Sequence, residues 1–249
     1  MLITVEGLVI RERSVGENDK FIDILTNEYG VIEASVKGVK KITSKFGGAV
    51  QMLAYSTFCL DKRGERYYLN SAQPISIFYD LRLDVEKLSL AMYFAELVKF
   101  TVSSEEPSGN VLRLTLNSLH YLSSGKRENM LIKAVFELRL LTKLGFMPNL
   151  SSCASCACFE HDIMCFLPQE GIILCGDCYT QSEIKTYFLS PSVLHAMRYI
   201  IYSDLDKLFS FKLTGESLEH LDKISEDYTI LQLDRKLKTL DFYHSVRHL

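Results

Sequence analysis

Cysteine placement constrains this chain more than any other feature. Cys153-Ala154-Ser155-Cys156 and Cys175-Gly176-Asp177-Cys178 repeat one C-x2-C spacing. Two thiolates separated by two residues can grip one cation from a tight turn, and a second such turn at the far end of a short β excursion completes a tetrahedral sphere. Four protein ligands leave no open coordination position, so the expected metal is a structural zinc. Cys158, His161 and Cys165 lie between the pairs, and any of them could replace a ligand or bind no metal. Cys59, isolated in Ser56-Thr57-Phe58-Cys59-Leu60, reads as a small buried apolar residue.

Disulfides are the competing use of such thiols. Met1-Leu2-Ile3-Thr4-Val5-Glu6 enters a strand-like run directly, with no cationic region before an apolar stretch, so a reducing cytoplasm is the expected setting. A thioredoxin-type redox role is disfavoured, because neither pair follows a buried strand of a βαβ unit. No apolar run reaches the roughly eighteen residues that span a bilayer, and no internal repeat or low-complexity tract is present. At 249 residues and 47% hydrophobic, the chain has material for two modest cores. Its formal net charge of -3 means that any polyanion site must be a local patch.

Residues 1–79 read as strands. Segments 3–10, 20–26, 30–36, 51–60 and 67–72 are short, rich in β-branched and aromatic residues, and separated by Gly, Asn, Asp or Lys. Asn27-Glu28-Tyr29-Gly30 predicts a hairpin turn with Gly30 at positive φ. Five strands and one longer basic connection predict an OB-fold barrel, with an SH3-like barrel as the rival.

From Leu81 onward the hydrophobic period becomes helical, Leu81, Val85, Leu88, Ala91, Met92, Ala95, Leu97 and Val98 tracing one stripe. Further helices are predicted over 108–122 and 128–144, the latter ended by Gly145 and Pro148. Another begins at Leu189-Ser190-Pro191, with Ser190 as N-cap, and runs to about Ile201. Amphipathic stretches follow over 218–228 and 231–243. The predicted class is α+β and multidomain: an OB-fold domain over 1–79, then a helical domain over 80–249 with a zinc-binding insertion at 150–182.

Between Val36 and Phe46 stand Lys37, Lys40, Lys41 and Lys45 with no acid among them, in a segment punctuated by Gly38, Gly47 and Gly48. Four like charges in one loop repel unless a polyanion is near. A solvated loop is the plain alternative, but a basic loop joining strands of an OB-fold is placed to hold a nucleic-acid backbone. Lys62 and Arg63, with Arg66, flank a second turn at Gly64, and Arg11 and Arg13 leave the first strand beside Glu12 and Glu17. Phe21, Tyr29, Phe46, Tyr55, Tyr67 and Tyr68 are available for stacking, though barrel aromatics are more often core. Trp is absent. No phosphate loop, dinucleotide fingerprint, H-E-x-x-H or G-x-S-x-G occurs, and no small-molecule site or enzyme is expected.

The chain resembles the bacterial recombination mediator and DNA repair family RecO along essentially its whole length. The resemblance is carried by Val9-Ile10-Arg11, Gly16-Glu17-Asn18-Asp19-Lys20, Leu25-Thr26 before Tyr29-Gly30, and Val36-Lys37-Gly38 leading into basic residues and Ser44. Tyr79-Asp80-Leu81-Arg82 matches the family's junction, and Leu144-Gly145-Phe146-Met147-Pro148 precedes the paired cysteines. Two departures stand out. Gln169-Glu170-Gly171-Ile172 replaces a common glycine pair, and Cys158 occupies a position where glycine is common.

What the resemblance implies is a non-enzymatic protein of the cytoplasm, at the nucleoid during repair. It would bind single- and double-stranded DNA, anneal complementary strands and, with RecR, load RecA on DNA coated by single-strand-binding protein, whose acidic C-terminal tail it would engage. Lys37, Lys40, Lys41 and Lys45 are the leading DNA contacts by this resemblance, followed by Arg11, Arg13, Lys62 and Arg63. The rival reading is a zinc-stabilised interaction module that takes a peptide and does not touch DNA. A zinc hydrolase would need an open coordination position.

Overall fold

Alternating burial builds the N-terminal barrel. In β4 (Ala54–Arg63), Ala54, Ser56, Phe58 and Leu60 are buried while their neighbours are half-buried, the period-two pattern of a strand with one face on a core. The structure, a computed structural model, describes residues 1–38, 46–104, 106–181 and 183–247. With β1 (Leu2–Val15), β2 (Asp19–Thr26), β3 (Val31–Val36) and β5 (Arg66–Ile77), β4 closes a barrel in the order β1-β2-β3-β5-β4. This is the expected OB-fold.

The long β1 serves two neighbours. Its first half pairs with β4 and its second with β2, and both ladders include Gly7. A Cβ on Gly7 would collide with Ile24 Cγ2 and stand 2.8 Å from the Leu25 carbonyl oxygen, so the changeover needs a residue without a side chain. A register shift between Val9 and Arg11 then bends the strand. Closure comes from a short parallel pairing of β3 with β5, Ala34 beside Tyr67 and Ser35 beside Tyr68. Val5, Val9, Ile22, Ile24, Ile32, Phe58 and Leu60 fill the interior.

The turn before β3 forms as expected. Gly30 has φ +62°, and the Thr26 hydroxyl accepts from the Tyr29 N–H at 3.0 Å and donates to the Gly30 carbonyl at 2.9 Å.

The chain divides into two compact units, Met1–Ser124 with Leu237–Leu249, and Gly125–Lys236. The first holds the barrel, a 3-10 turn at Tyr79–Leu83, α1 (Val85–Thr101), α2 (Gly109–Ser124) and α6 (Lys238–Val246). Asp84 caps α1 by accepting the Lys87 N–H at 3.0 Å. The expected single stripe on α1 is too narrow. Leu90, Ala91, Tyr93, Phe94, Ala95, Leu97 and Val98 are all buried, because α6, α2 and β1 pack on different sides. Glu96 of α1 fastens α6 by accepting the Thr239 N–H at 3.0 Å and the Thr239 hydroxyl.

The second unit holds α3 (Asn129–Lys143), α4 (Pro191–Tyr202) and α5 (Gly215–Leu233). Beside them lies a three-stranded sheet, β7-β6-β8, from β6 (Met164–Leu167), β7 (Ile172–Cys175) and β8 (Tyr187–Leu189). Ser190 caps α4 by accepting the Val193 N–H at 3.4 Å, with Pro191 at its start, and Gly145 follows α3 at φ +90°. The helix expected over 231–243 is not continuous. Asp234 takes the left-handed conformation at φ 46°, which ends α5 at Leu233, and the chain resumes as α6 at Lys238.

One lysine sits wholly inside this unit. Lys133 Nζ lies 3.0 Å from Glu137, 3.1 Å from Asp222 and 2.8 Å from Glu226, and the Ser225 hydroxyl donates to Glu137 at 2.6 Å. Burial disfavours the ammonium, but the three carboxylates outweigh it and hold Lys133 above its ordinary 10.5.

Candidate metal centre and nucleic-acid interface

Local turns bring the two cysteine pairs together. Within the first, the Ala157 N–H donates to the Cys153 carbonyl at 2.9 Å and the Cys153 N–H to the Cys158 carbonyl at 2.8 Å. Within the second, the N–H groups of Cys178 and Tyr179 donate to the Cys175 carbonyl at 3.1 and 2.9 Å. The Sγ atoms of Cys153, Cys156, Cys175 and Cys178 all lie within 4.8 Å of one another. Cys156 and Cys175 approach to 3.6 Å. A tetrahedral zinc with bonds of about 2.3 Å has sulfur atoms about 3.8 Å apart, so the four residues fit such a cation. The Cys175 N–H points at Cys153 Sγ at 3.3 Å, a donor of the kind that stabilises a ligating thiolate.

The thiols differ in acidity. Burial raises Cys153, but backbone N–H groups of Cys156, Cys175 and Ser155 more than offset it and bring it to about 6. Cys156 is also lowered, first by the Cys158 N–H and then by neighbouring thiols. Cys178 goes the other way, to about 12: the Ser155 hydroxyl favours its thiolate, but crowding by Cys175, Cys156 and Cys153 prevails. Four thiols in so small a volume resist shared negative charge, and a divalent cation removes that resistance.

The three residues between the pairs take other places. Cys165 is buried in β6 opposite Leu174. His161 turns its Nε2 toward Asp177 at 3.3 Å and packs by Gly176. Cys158 touches the thiols of Cys156 and Cys175 without belonging to the cluster of four. No sequence signal pointed to Arg198 on α4. Its Nε donates to the Leu150 carbonyl at 2.7 Å, and its Nη2 donates to the carbonyls of Ser151 at 3.2 Å and Phe159 at 2.9 Å.

The basic residues of the barrel are less uniform. Lys37 is exposed at the end of β3, where the Gly38 N–H donates to Asp19 at 2.8 Å. Lys40, Lys41 and Lys45 lie outside the described residues. Arg11 stands 4.0 Å from Asp23, a buried carboxylate that Lys99 of α1 approaches to 3.0 Å. Arg13 pairs with Glu33, and Arg63 with Asp61 at 2.7 Å. Lys62 lies 5.3 Å over the Tyr67 ring.

Register also aligns side chains that are far apart in sequence. Arg13 faces Phe21, Phe21 faces Ser35, and Ser35 faces Tyr68 across β1, β2, β3 and β5. Arg13 lies 5.7 Å over Phe21, and Arg63 lies 5.2 Å over Tyr68.

Comparison with known proteins joins the barrel and the helical segment in one family. The family described as Recombination protein O N terminal matches residues 1–78, and that described as Recombination protein O C terminal matches residues 82–241. The DNA repair protein RecO of Acetivibrio thermocellus is 34% identical over 240 residues, 96% of this chain and 95% of that protein. That of Alkaliphilus metalliredigens is 32% identical over 237 residues, 94% and 95% of the two chains. That of Caldicellulosiruptor saccharolyticus is 28% identical over 245 residues, 98% and 99%. With a closed OB-fold barrel ahead of a helical segment bearing a four-cysteine cluster, the chain belongs to the RecO family of DNA repair proteins.

Proposed function

We propose that this chain is a non-enzymatic recombination mediator that binds single- and double-stranded DNA, anneals complementary strands and, with RecR, promotes RecA loading on DNA coated by single-strand-binding protein. Membership of the RecO family over both halves of the chain is the observation that carries this reading. The helical segment receives the C-terminal tail of the coating protein, and the work is done in the cytoplasm. Zinc is the metal of the four cysteines. It braces the turns that carry them and supplies no chemistry to the DNA.

The physics of annealing needs no reacting residue. Two phosphate backbones repel, and lysines on one surface lower that cost while bases pair. Lys37, Lys40, Lys41 and Lys45 carry the largest share of the backbone binding in this reading. Arg11, Arg13 and Arg63 contribute less, because each already faces a carboxylate. Lys62 adds to the same hairpin edge. Removing one lysine–phosphate pair should reduce the dependence of log affinity on log salt by about 0.7 for single strands.

The test is a salt titration of the full chain and of a Lys37→Glu, Lys40→Glu, Lys41→Glu variant on several unrelated DNA sequences. Uniform weakening and a shallower slope are expected. A slope unchanged by the substitutions removes the lysine loop from the interface. The rival, a zinc-stabilised protein-interaction module, draws on the same pairing of Arg11, Arg13 and Arg63 with acids. It expects no DNA binding by the wild-type chain at physiological salt.

A further inference from the structure

A row of outward side chains crosses the barrel where β3 meets β5. In register order it reads Arg13, Phe21, Ser35 and Tyr68, on β1, β2, β3 and β5. Arg13 of β1 lies 5.7 Å over Phe21 and reaches Glu33 of β3, and Arg63 of β4 lies 5.2 Å over Tyr68. The only small side chain in the row lies between the rings. Above Ser35 opens a cleft of about 800 Å³, lined by Phe21, Tyr68, Glu33, Glu65, Arg66 and Lys99 among others.

From this arrangement we infer that the cleft is a nucleobase slot, in which one unstacked base of single-stranded DNA lies over Ser35 between Phe21 and Tyr68. The inference rests on the reading of the barrel as a DNA-binding domain and adds the residues that read single strands. Adjacent strands are about 4.8 Å apart, so a base centred over β3 stands one strand spacing from each ring. Stacked aromatic pairs keep their centroids about 4.5–7 Å apart, and both rings are therefore within reach.

Polar groups suit the same occupant. The Ser35 hydroxyl and the Glu65 carboxylate offer acceptors to the N–H edges of a base, while Glu33 is already paired with Arg13. Arg66 at the β4–β5 hairpin places positive charge at the margin for the flanking backbone, whereas Lys99 is held 3.0 Å from Asp23. A base paired within a duplex cannot enter without unstacking. The slot therefore selects single strands, while the lysine loop binds either form.

The experiment measures affinity of the full chain for a short oligothymidylate, for an abasic strand of the same length and for a duplex. A Phe21→Leu, Tyr68→Leu variant should bind the oligothymidylate about five- to a hundredfold more weakly, the loss expected for base–aromatic stacking. Its affinity for the abasic strand and the duplex should stay within about twofold. A second readout uses the absence of tryptophan from the chain. The emission of a Phe21→Trp variant should be quenched by oligothymidylate and not by the abasic strand. Equal affinity of the wild type for oligothymidylate and abasic strand overturns the slot, as does an equal loss on all three ligands in the double variant. A wild type that binds none of them instead overturns the DNA-binding barrel itself.

Discussion

The guanidinium of Arg198 stands 4.1 Å over the ring of Phe159 and also holds that residue's carbonyl oxygen. Since the same side chain takes the carbonyls of Leu150 and Ser151, one residue of α4 fixes the chain on both sides of the first cysteine pair. Hydrogen bonds from a charged donor contribute about 1.5–3 kcal/mol each where the acceptor has no replacement. Arg198→Ala should lower the melting temperature and speed the release of zinc to a chromogenic chelator. Arg198→Lys should fall between, because an ammonium cannot reproduce the planar fork. Release from Arg198→Ala at the wild-type rate would show that the cysteine turns hold themselves.

The same centre makes a prediction for each thiol. Cys153→Ser and Cys175→Ser remove buried thiols of the proposed zinc site and should abolish stoichiometric zinc, whereas Cys158→Ser and Cys165→Ser should retain one equivalent per chain by elemental analysis. A Cys158→Ser protein without metal would place Cys158 among the ligands. Acid should release the metal, because thiolates must take up protons to let it go.

Lys133 is the largest electrostatic commitment in the second unit. Lys133→Met would leave Glu137 and Asp222 buried without their cation, a loss of about 3–5 kcal/mol by denaturant titration. The sign of the pH dependence follows from the raised pKa. A lysine more basic in the folded state contributes its full stability below the unfolded value of 10.5 and loses it as pH rises through the folded value. Between pH 6 and 9 the contribution of Lys133 to wild-type stability should therefore be constant. The gap to the variant should narrow in strong alkali as Lys133 deprotonates, and also toward acid, where the carboxylates left without their cation in the variant take up protons; a gap that narrows on neither side would mean that Lys133 is not charged.

Much of this was legible because it is local. The C-x2-C turns, the alternation in β4, the positive φ at Gly30 and the Ser190-Pro191 helix start each depend on a few neighbouring residues. What escaped depends on partners distant in sequence. A lysine reads as a surface residue until α5 supplies Asp222 and Glu226 around Lys133. Arg13 reads as a cation partly offset by its chain neighbours Glu12 and Glu17 until register brings Glu33 from β3. The row from Phe21 to Tyr68 needs the β3–β5 pairing, which no pattern within either strand specifies. Asp234 breaks a stretch that reads as helix, because an acid at that position fits an amphipathic face as well as a left-handed turn.

Two glycines with nearly the same backbone separate conformational cost from close approach. Gly16 has φ +59° with nothing within 4 Å of where a Cβ would stand, so Gly16→Ala should cost only the left-handed penalty, about 1–2 kcal/mol. Gly30 has φ +62°, but there a Cβ would overlap the Ser103 carbonyl oxygen and stand 3.0 Å from that of Glu106. Gly30→Ala must push Ser103 and Glu106 away, and with that goes the bond from the Val31 N–H to the Ser103 carbonyl at 3.3 Å. Urea titration should place Gly30→Ala at least about 2 kcal/mol below Gly16→Ala, within the range of strained or overpacked sites. Equal costs would mean that Ser103 and Glu106 yield freely, and the packing of the barrel turn against Ser103 would then contribute little to the stability of the first unit.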